Sequence, residues 1–391
     1  METVQELHLP KRYHDALTEW QHRNFPDLPL LQQKWATYFP DTAPYHLCAR
    51  VATLKTPYIG VGMFKGRPHV EHAGEMLGNM LYSAVRIIKA QASTELGSIQ
   101  QHLETLDAGI NDQAKFSILR ICAEELRHAY QMFWVLSHDQ TWAEAGIHNV
   151  ANRTMDELLA MSTGTHVLDA FNIPFHDPLD NIVFAFLIDR VGKYQLSMQK
   201  VFTYAPMARS MPPMLKEESF HLMTGHDLLR DLAVASGVER GKWSLAEIQR
   251  RLYAWFPRGV EMFGNPDGGQ ANVDFGFKDR LNGESLQAYT AEVERLLDRI
   301  NIAIATARHP DQTREEIEVM ARHASWRLHL PDVNFFRLRG TEDVACQPIS
   351  VDGRRLAWEV YWAHLEDVLP ASLRATQFFA RYRAACLSLV N

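Results

Sequence analysis

The chain repeats one arrangement of acids and histidines at helical spacing, and that repeat narrows the folds open to it. Cys122-Ala-Glu-Glu-Leu-Arg-His128 and Lys216-Glu-Glu-Ser-Phe-His221 each contain Glu-x-x-His. Glu95 stands 30 positions before Glu125, and Asp189 stands 29 before Glu218. Residues three apart on a helix share a face, with Cβ atoms roughly 5–6 Å apart. Glu125 and His128 can therefore grip one metal side by side, and Glu218 with His221 can do the same. A gap of about 30 residues is half of a long helix, a short turn and half of the returning helix, at ~1.5 Å rise per residue. Each unit thus reads as an antiparallel helix pair whose ligands meet at mid-height. Two such units supply four carboxylates and two imidazoles, the donor set of a carboxylate-bridged di-metal centre in a helical bundle.

The neighbouring residues support burial of these acids. Asp189 ends the apolar run Asn181-Ile-Val-Phe-Ala-Phe-Leu-Ile188, where an acid is costly unless paired or metal-bound. Glu125 shares its helix face with Ile118, Ile121, Cys122, Ala129 and Met132, and Glu218 follows Met211, Met214 and Leu215. Glu95 is the least shielded of the set. A single Glu-x-x-His is common by chance, a lone Glu95 would be a solvated residue, and a lone Asp189 a salt-bridge partner. The joint pattern is what points to metal. Glu124 and Glu217 point about 100° away from the ligand face of their own helices and are read as non-ligands. Gln91, one turn before Glu95, points into the same region as a contact for substrate or oxygen, set against an ordinary buried glutamine.

Composition sets the background. The chain has 391 residues, with 46% hydrophobic and 22% charged, as expected of a globular protein with a large core. A net charge of −7 gives no electrostatic case for a nucleic-acid partner. Cys48, Cys122, Cys346 and Cys386 show no Cys-x-x-Cys spacing, which argues against zinc, an iron–sulfur cluster or a disulfide framework and fits a reducing cytoplasm. The polar start Met1-Glu-Thr-Val-Gln-Glu-Leu-His8 has no signal-peptide apolar region. The apolar stretches are too short for a membrane span. The expectation is a cytoplasmic protein without membrane contact.

The fold class expected is all-α: a ferritin-like four-helix bundle with additional N- and C-terminal helices and loops. Residues 1–70 read as an N-terminal arm on the bundle, 71–236 as the bundle, and 237–391 as a C-terminal helical elaboration of the same domain. The core helices are expected over about 71–107, from Asp112 (as N-cap) to about His138, over 178–204, and from 207 or 213 to 236, because Pro206, Pro212 and Pro213 crowd the last turn. The stretch 139–177 serves as the crossover connection. Further helical patterns fall near 244–256, 285–306, 311–328, 354–367 and 369–388. The polar, Gly-rich run 263–272 reads as a loop, either closing a pocket or as a solvated connector, and residues from 328 to about 335 read as extended.

With both repeats in view, the chain resembles the phenylacetyl-CoA epoxidase catalytic-subunit group of ferritin-like proteins, and within it the benzoyl-CoA 2,3-epoxidase oxygenase branch. Thr94-Glu-Leu-Gly-Ser-Ile-Gln-Gln101, Ala123-Glu-Glu-Leu-Arg-His128, Phe186-Leu-Ile-Asp-Arg-Val-Gly-Lys-Tyr-Gln195 and Glu217-Glu-Ser-Phe-His221 carry the match, with Leu168-Asp-Ala-Phe-Asn172 familiar from the benzoyl-CoA branch. The resemblance puts the family's iron ligands, which would also be its catalytic residues, on Glu95, Glu125, His128, Asp189, Glu218 and His221. It implies two Fe ions in a carboxylate-bridged di-iron centre, with Mn as the alternative metal suited to hard carboxylates and imidazoles. It also implies an aromatic acyl-CoA substrate, O2, and a ring epoxide as product. The chain has no Gly-rich dinucleotide fingerprint and no cysteine cluster, so a separate NAD(P)H-dependent flavin/iron–sulfur reductase would supply electrons. Lys65, Arg67 and His69 are a basic group that could meet CoA phosphates but read better as solvated surface. Two other readings compete. One is a di-iron N-oxygenase or hydroxylase acting on a non-CoA aromatic substrate in a biosynthetic pathway. The other is an iron-storing or iron-oxidising protein, against which the more than 150 residues beyond the fourth core helix weigh.

Overall fold

A computed structural model describes residues 4–108 and 111–331. In chain order the elements are β1 (Gln5–Leu7), α1 (Lys11–Asn24), α2 (Leu28–Tyr38), β2 (Ala49–Val51), α3 (Asn79–Leu103), α4 (Asp112–Ser137), α5 (Thr141–Glu144) and α6 (Val150–Leu159). They continue with α7 (Pro178–Met198), α8 (Ala205–Gly237), α9 (Leu245–Met262), α10 (Gln270–Asp274), α11 (Asn282–Arg308) and α12 (Arg314–His323). Among the described residues the only strands are β1 and β2, paired antiparallel with Glu6 opposite Arg50. The expected helices at 354–367 and 369–388, the tail of the extended segment, Cys346 and Cys386 lie outside the described residues. Among those described, no helix is long and apolar enough to cross a membrane.

The chain divides into two compact units, and α7 and α8 each pass from one to the other. The first comprises residues up to 167, 192–220 and 269–281; the second comprises 168–191, 221–268 and 282 onward. In the first unit α4 is the axis. Nearly every side chain from Phe116 to Leu136 is buried, because α3, α2, α1, α6 and β2 all pack on it. Tyr130, Phe133, Trp20 and Trp142 are almost wholly enclosed in one continuous core that also takes in Met207, Met211 and Met214. Each such side chain contributes on the order of 2–3 kcal/mol by leaving water.

The second unit has a separate logic. A Cβ on Gly225 would lie 2.6 Å from the backbone of Ala185 and Phe186, so glycine is what lets α8 approach α7 there. Asp180 is buried against Arg251 (2.8 Å) and accepts from Trp255 Nε1 at 2.9 Å. Ala305, Ile317 and Ala321 join α11 to α12.

Helix starts follow their chemistry. Asn111, rather than the expected Asp112, caps α4: its side chain accepts from Ala114 N at 2.8 Å, leaving Asp112 as the first helical residue. Ser244 with Glu247 and Thr313 with Glu316 form capping boxes on α9 and α12. α3 begins at Asn79 rather than near 71, since residues 71–78 are taken up by a short turn over Ala73–Glu75. α8 runs straight through Pro212 and Pro213. A proline lacks the N–H that its i−4 carbonyl expects, and the carbonyl of Arg209, four before Pro213, instead accepts from Ala52 N at 2.9 Å. The run at 263–272 is mostly turns but ends inside α10.

One buried charge in the first unit makes a pH signature. Lys278 is enclosed, its ammonium donating to the neutral Gln195 Oε1 at 3.0 Å, and burial pulls its pKa down to about 8. The unfolded value is near 10.4. Stability is therefore highest where both states are neutral, is lost as pH falls from about 10.5 through 8, and stays reduced below that. At about 1.4 kcal/mol per unit the penalty is on the order of 3 kcal/mol. Lys278→Met is expected to remove this rise in stability between pH 8 and 10.5, read by denaturant midpoints across that range.

Candidate metal centre

The first unit builds its polar interior from two facing helices. Gln91, Glu95, Ser98 and His102 recur at helical spacing along α3, and all four are buried. Across from them α4 presents Glu125 and His128, also buried. Neither helix could bring these groups into an apolar core without something to compensate them, because an isolated buried carboxylate costs several kcal/mol.

Glu95 and His128 meet Glu218 of α8 there: one ligand atom from each of the three lies within 4.8 Å of the others. His128 Nδ1 stands 3.3 Å from a Glu95 oxygen and 3.7 Å from a Glu218 oxygen. The other ring nitrogen, Nε2, is 3.1 Å from Glu217 Oε2. The imidazole is thus fixed at one end by Glu217 and presents its other end to two carboxylates, the usual way a protein orients a metal-binding histidine. Gln91 Nε2 donates to Glu95 Oε1, so this amide steadies a carboxylate of the cluster. Ser98 Oγ donates to Glu125 Oε1 at 2.9 Å. On α7, Gly192 gives Glu218 room: a Cβ there would come within 3.5 Å of the carboxylate.

Behind His128 a line of alternating charge leads outward. Glu217 pairs with the buried Arg127 and, at 3.3 Å, with Arg50, which in turn meets the exposed Glu6 at 2.8 Å. Arg127 also lies over the Tyr45 ring. Burial would raise the Glu217 pKa, but Arg127 and His128 outweigh it and hold the carboxyl well below its ordinary range. Burial would likewise lower His128, but Glu95 and Glu217 push it up to about 10. The three acids around His128 therefore favour its protonated, cationic form.

Of the six ligands expected from the spacing, Glu95, His128 and Glu218 are brought together, and Glu125 sits one turn from His128 on α4. Asp189 on α7 and His221 on α8 are buried within the second unit. Two side chains were not singled out from the sequence. Glu217 points away from Glu218 on their shared helix, yet it reaches His128 on another helix. His102 carried only a weak signal, seven positions after Glu95 and hence on the same face of α3. Glu124 pairs with Arg120 at 3.0 Å. Met132 and Met214 belong to the first unit's core. In the Lys65, Arg67 and His69 group, Arg67 lies over Phe64 and His69 Nδ1 is 2.9 Å from Phe202 O.

A separate cleft of about 880 Å³ opens on another face of α3, lined by Arg86, Lys89 and Ser93 and closed by α6 and the start of α10. Lys89 is paired with Glu157 at 2.6 Å, and Ser93 with His166 at 3.0 Å.

Fold and site together define an all-α, ferritin-like protein with a buried carboxylate–imidazole cluster of metal-binding type. The sequence profile of the family described as phenylacetic acid catabolic protein matches residues 121–330, more than half of the chain, and the chain belongs to that family. It is also similar to benzoyl-CoA oxygenase component B of Aromatoleum evansii, 30% identical over 191 residues. That match covers 46% of this chain and 37% of the relative, so the chain spans well under two thirds of the relative's length.

The hydrogen bond behind His128 makes a graded prediction. Glu217→Ala removes the acceptor and is expected to weaken metal retention about 10–100-fold, whereas Glu217→Gln, which still accepts from Nε2, loses less; chelator competition followed by elemental analysis measures both. The proton on His128 makes another. Metal must displace it, so affinity is expected to rise as pH increases toward about 10, with proton release on metal addition seen by indicator dye in weakly buffered solution.

Proposed function

We propose that this chain is the metal-bearing oxygenase of an aromatic acyl-CoA reaction. One atom of O2 adds across a ring C=C of a benzoyl-CoA-like thioester to give an epoxide, and the other leaves as water. The convergence of Glu95, His128 and Glu218 in a buried, helix-enclosed cluster, in a chain of this family, is the observation that carries the reading. The relative's name supports an aromatic acyl-CoA as substrate, and its designation as a component supports a multi-protein system.

The proposed ligand set is the one read from the sequence: Glu95, Glu125, His128, Asp189, Glu218 and His221. The donor chemistry fits two iron ions, since hard carboxylates and imidazoles favour iron or manganese over thiophilic metals. Bound iron supplies the redox chemistry that activates O2. The chain's own part is positional. Glu217 and Arg127 hold His128 in one orientation, Gln91 holds Glu95, and the surrounding core, including Met132 and Met214, keeps water out. The reaction balances as thioester, O2, two electrons and two protons giving epoxide and water. The electrons come from a separate NAD(P)H-dependent flavin/iron–sulfur reductase, and the setting is the cytoplasm.

The test is a single turnover of chemically reduced, iron-loaded protein with benzoyl-CoA and 18O2, read by mass spectrometry. Gain of one labelled oxygen in the acyl portion is expected, and Glu218→Ala should abolish it while lowering metal content. No product from an iron-replete sample would move the reading to a non-CoA substrate, with free aromatic amines tried next. Full turnover in Glu218→Ala would end the metal-centre assignment.

A further inference from the structure

His102 is a buried histidine without an assigned role. It lies two helical turns beyond Glu95 on the same stripe of α3, is wholly shielded from solvent, and brings a ring nitrogen within 4.8 Å of a Glu125 carboxylate oxygen. Glu125 is itself oriented, its Oε1 accepting from Ser98 one turn before His102. A polar ring in such an interior needs a purpose, because desolvating it costs free energy that a core residue of the same size would not. The pair is one turn of α4 removed from the cluster that holds Glu95, His128 and Glu218.

We propose that His102 is a metal ligand, sharing with Glu125 the second of two metal positions. The inference rests on the metal-centre reading above and adds an imidazole to it. Imidazole and carboxylate donors bind at about 2.0–2.2 Å. Two donors on one ion therefore stand roughly 3–4 Å apart, and the separation of less than 4.8 Å between His102 and Glu125 is compatible with that. On this arrangement Glu95 and His102 are the α3 contributions to the two positions, offset along the helix as Glu125 and His128 are offset along α4.

The rival role is a hydrogen bond from His102 to Glu125 with no bond to metal, and both roles would lower metal affinity on substitution. The decisive readout is therefore the nitrogen coordination itself. Protein labelled with 15N-histidine, loaded with iron and poised in a mixed-valence state, is examined by electron–nuclear double resonance beside His102→Gln, with metal content measured on the same samples. Three directly coupled imidazole nitrogens in wild type and two in His102→Gln are expected, with the first metal retained in the variant. Two couplings in wild type with two irons bound would overturn the role of His102 while leaving the metal centre standing. Wild type that binds no iron would overturn both. Because the wild-type count decides alone, an unstable variant does not remove the test.

Discussion

The cost of placing several carboxylates in a dry helical interior governs this molecule. Glu95, Glu125 and Glu218 are each almost wholly buried, and a buried ion loses several kcal/mol of hydration unless compensated. The arrangement around them is shaped by that debt. α4 is enclosed on nearly every side, and His128 is set among three acids, with Nδ1 toward Glu95 and Glu218 and Nε2 toward Glu217. Arg127, buried and lying over the Tyr45 ring, balances Glu217.

That compensation reaches further than the two central helices. Arg50 sits on β2, a strand of three residues that would be marginal alone. It is held by pairing with β1, and its guanidinium carries the charge line from Glu217 out to Glu6. Ala52, just past the same strand, supplies the N–H for the carbonyl that Pro213 cannot serve. The N-terminal segment thus secures both the helix that carries Glu218 and the acid behind His128. Removing it would expose the centre and leave α8 short of a donor where its prolines interrupt the ladder.

How much of this could be read beforehand follows from the kind of signal each feature leaves. Glu125 with His128 and Glu218 with His221 stand out because chelation by one helix would require a three-residue spacing, and the matched upstream acids add the partner helices. The α3, α4, α7 and α8 positions followed from that. Pro212 and Pro213 suggested a late start for α8, since the compensating N–H lies some 160 residues earlier and has no local trace. The role of Glu217 behind His128 leaves no trace for a related reason. Its direction on its own helix says nothing about which side chain of another helix comes to meet it. His102 leaves only a seven-residue interval from Glu95, which any amphipathic helix would show.

The two repeats are alike in sequence, and the glutamate that precedes each Glu-x-x-His pair is drawn into charge pairing. Glu124 and Glu217 occupy equivalent positions, each directly before the glutamate of a Glu-x-x-His. Glu124 pairs with Arg120 on its own helix, and Glu217 crosses to another helix to meet His128. His128 is therefore locked by a charged partner that arrives from another helix. A hydrogen bond to the far nitrogen of a ligating imidazole raises its basicity and fixes its ring, so under the proposed assignment Glu217 tunes a metal that it does not itself hold.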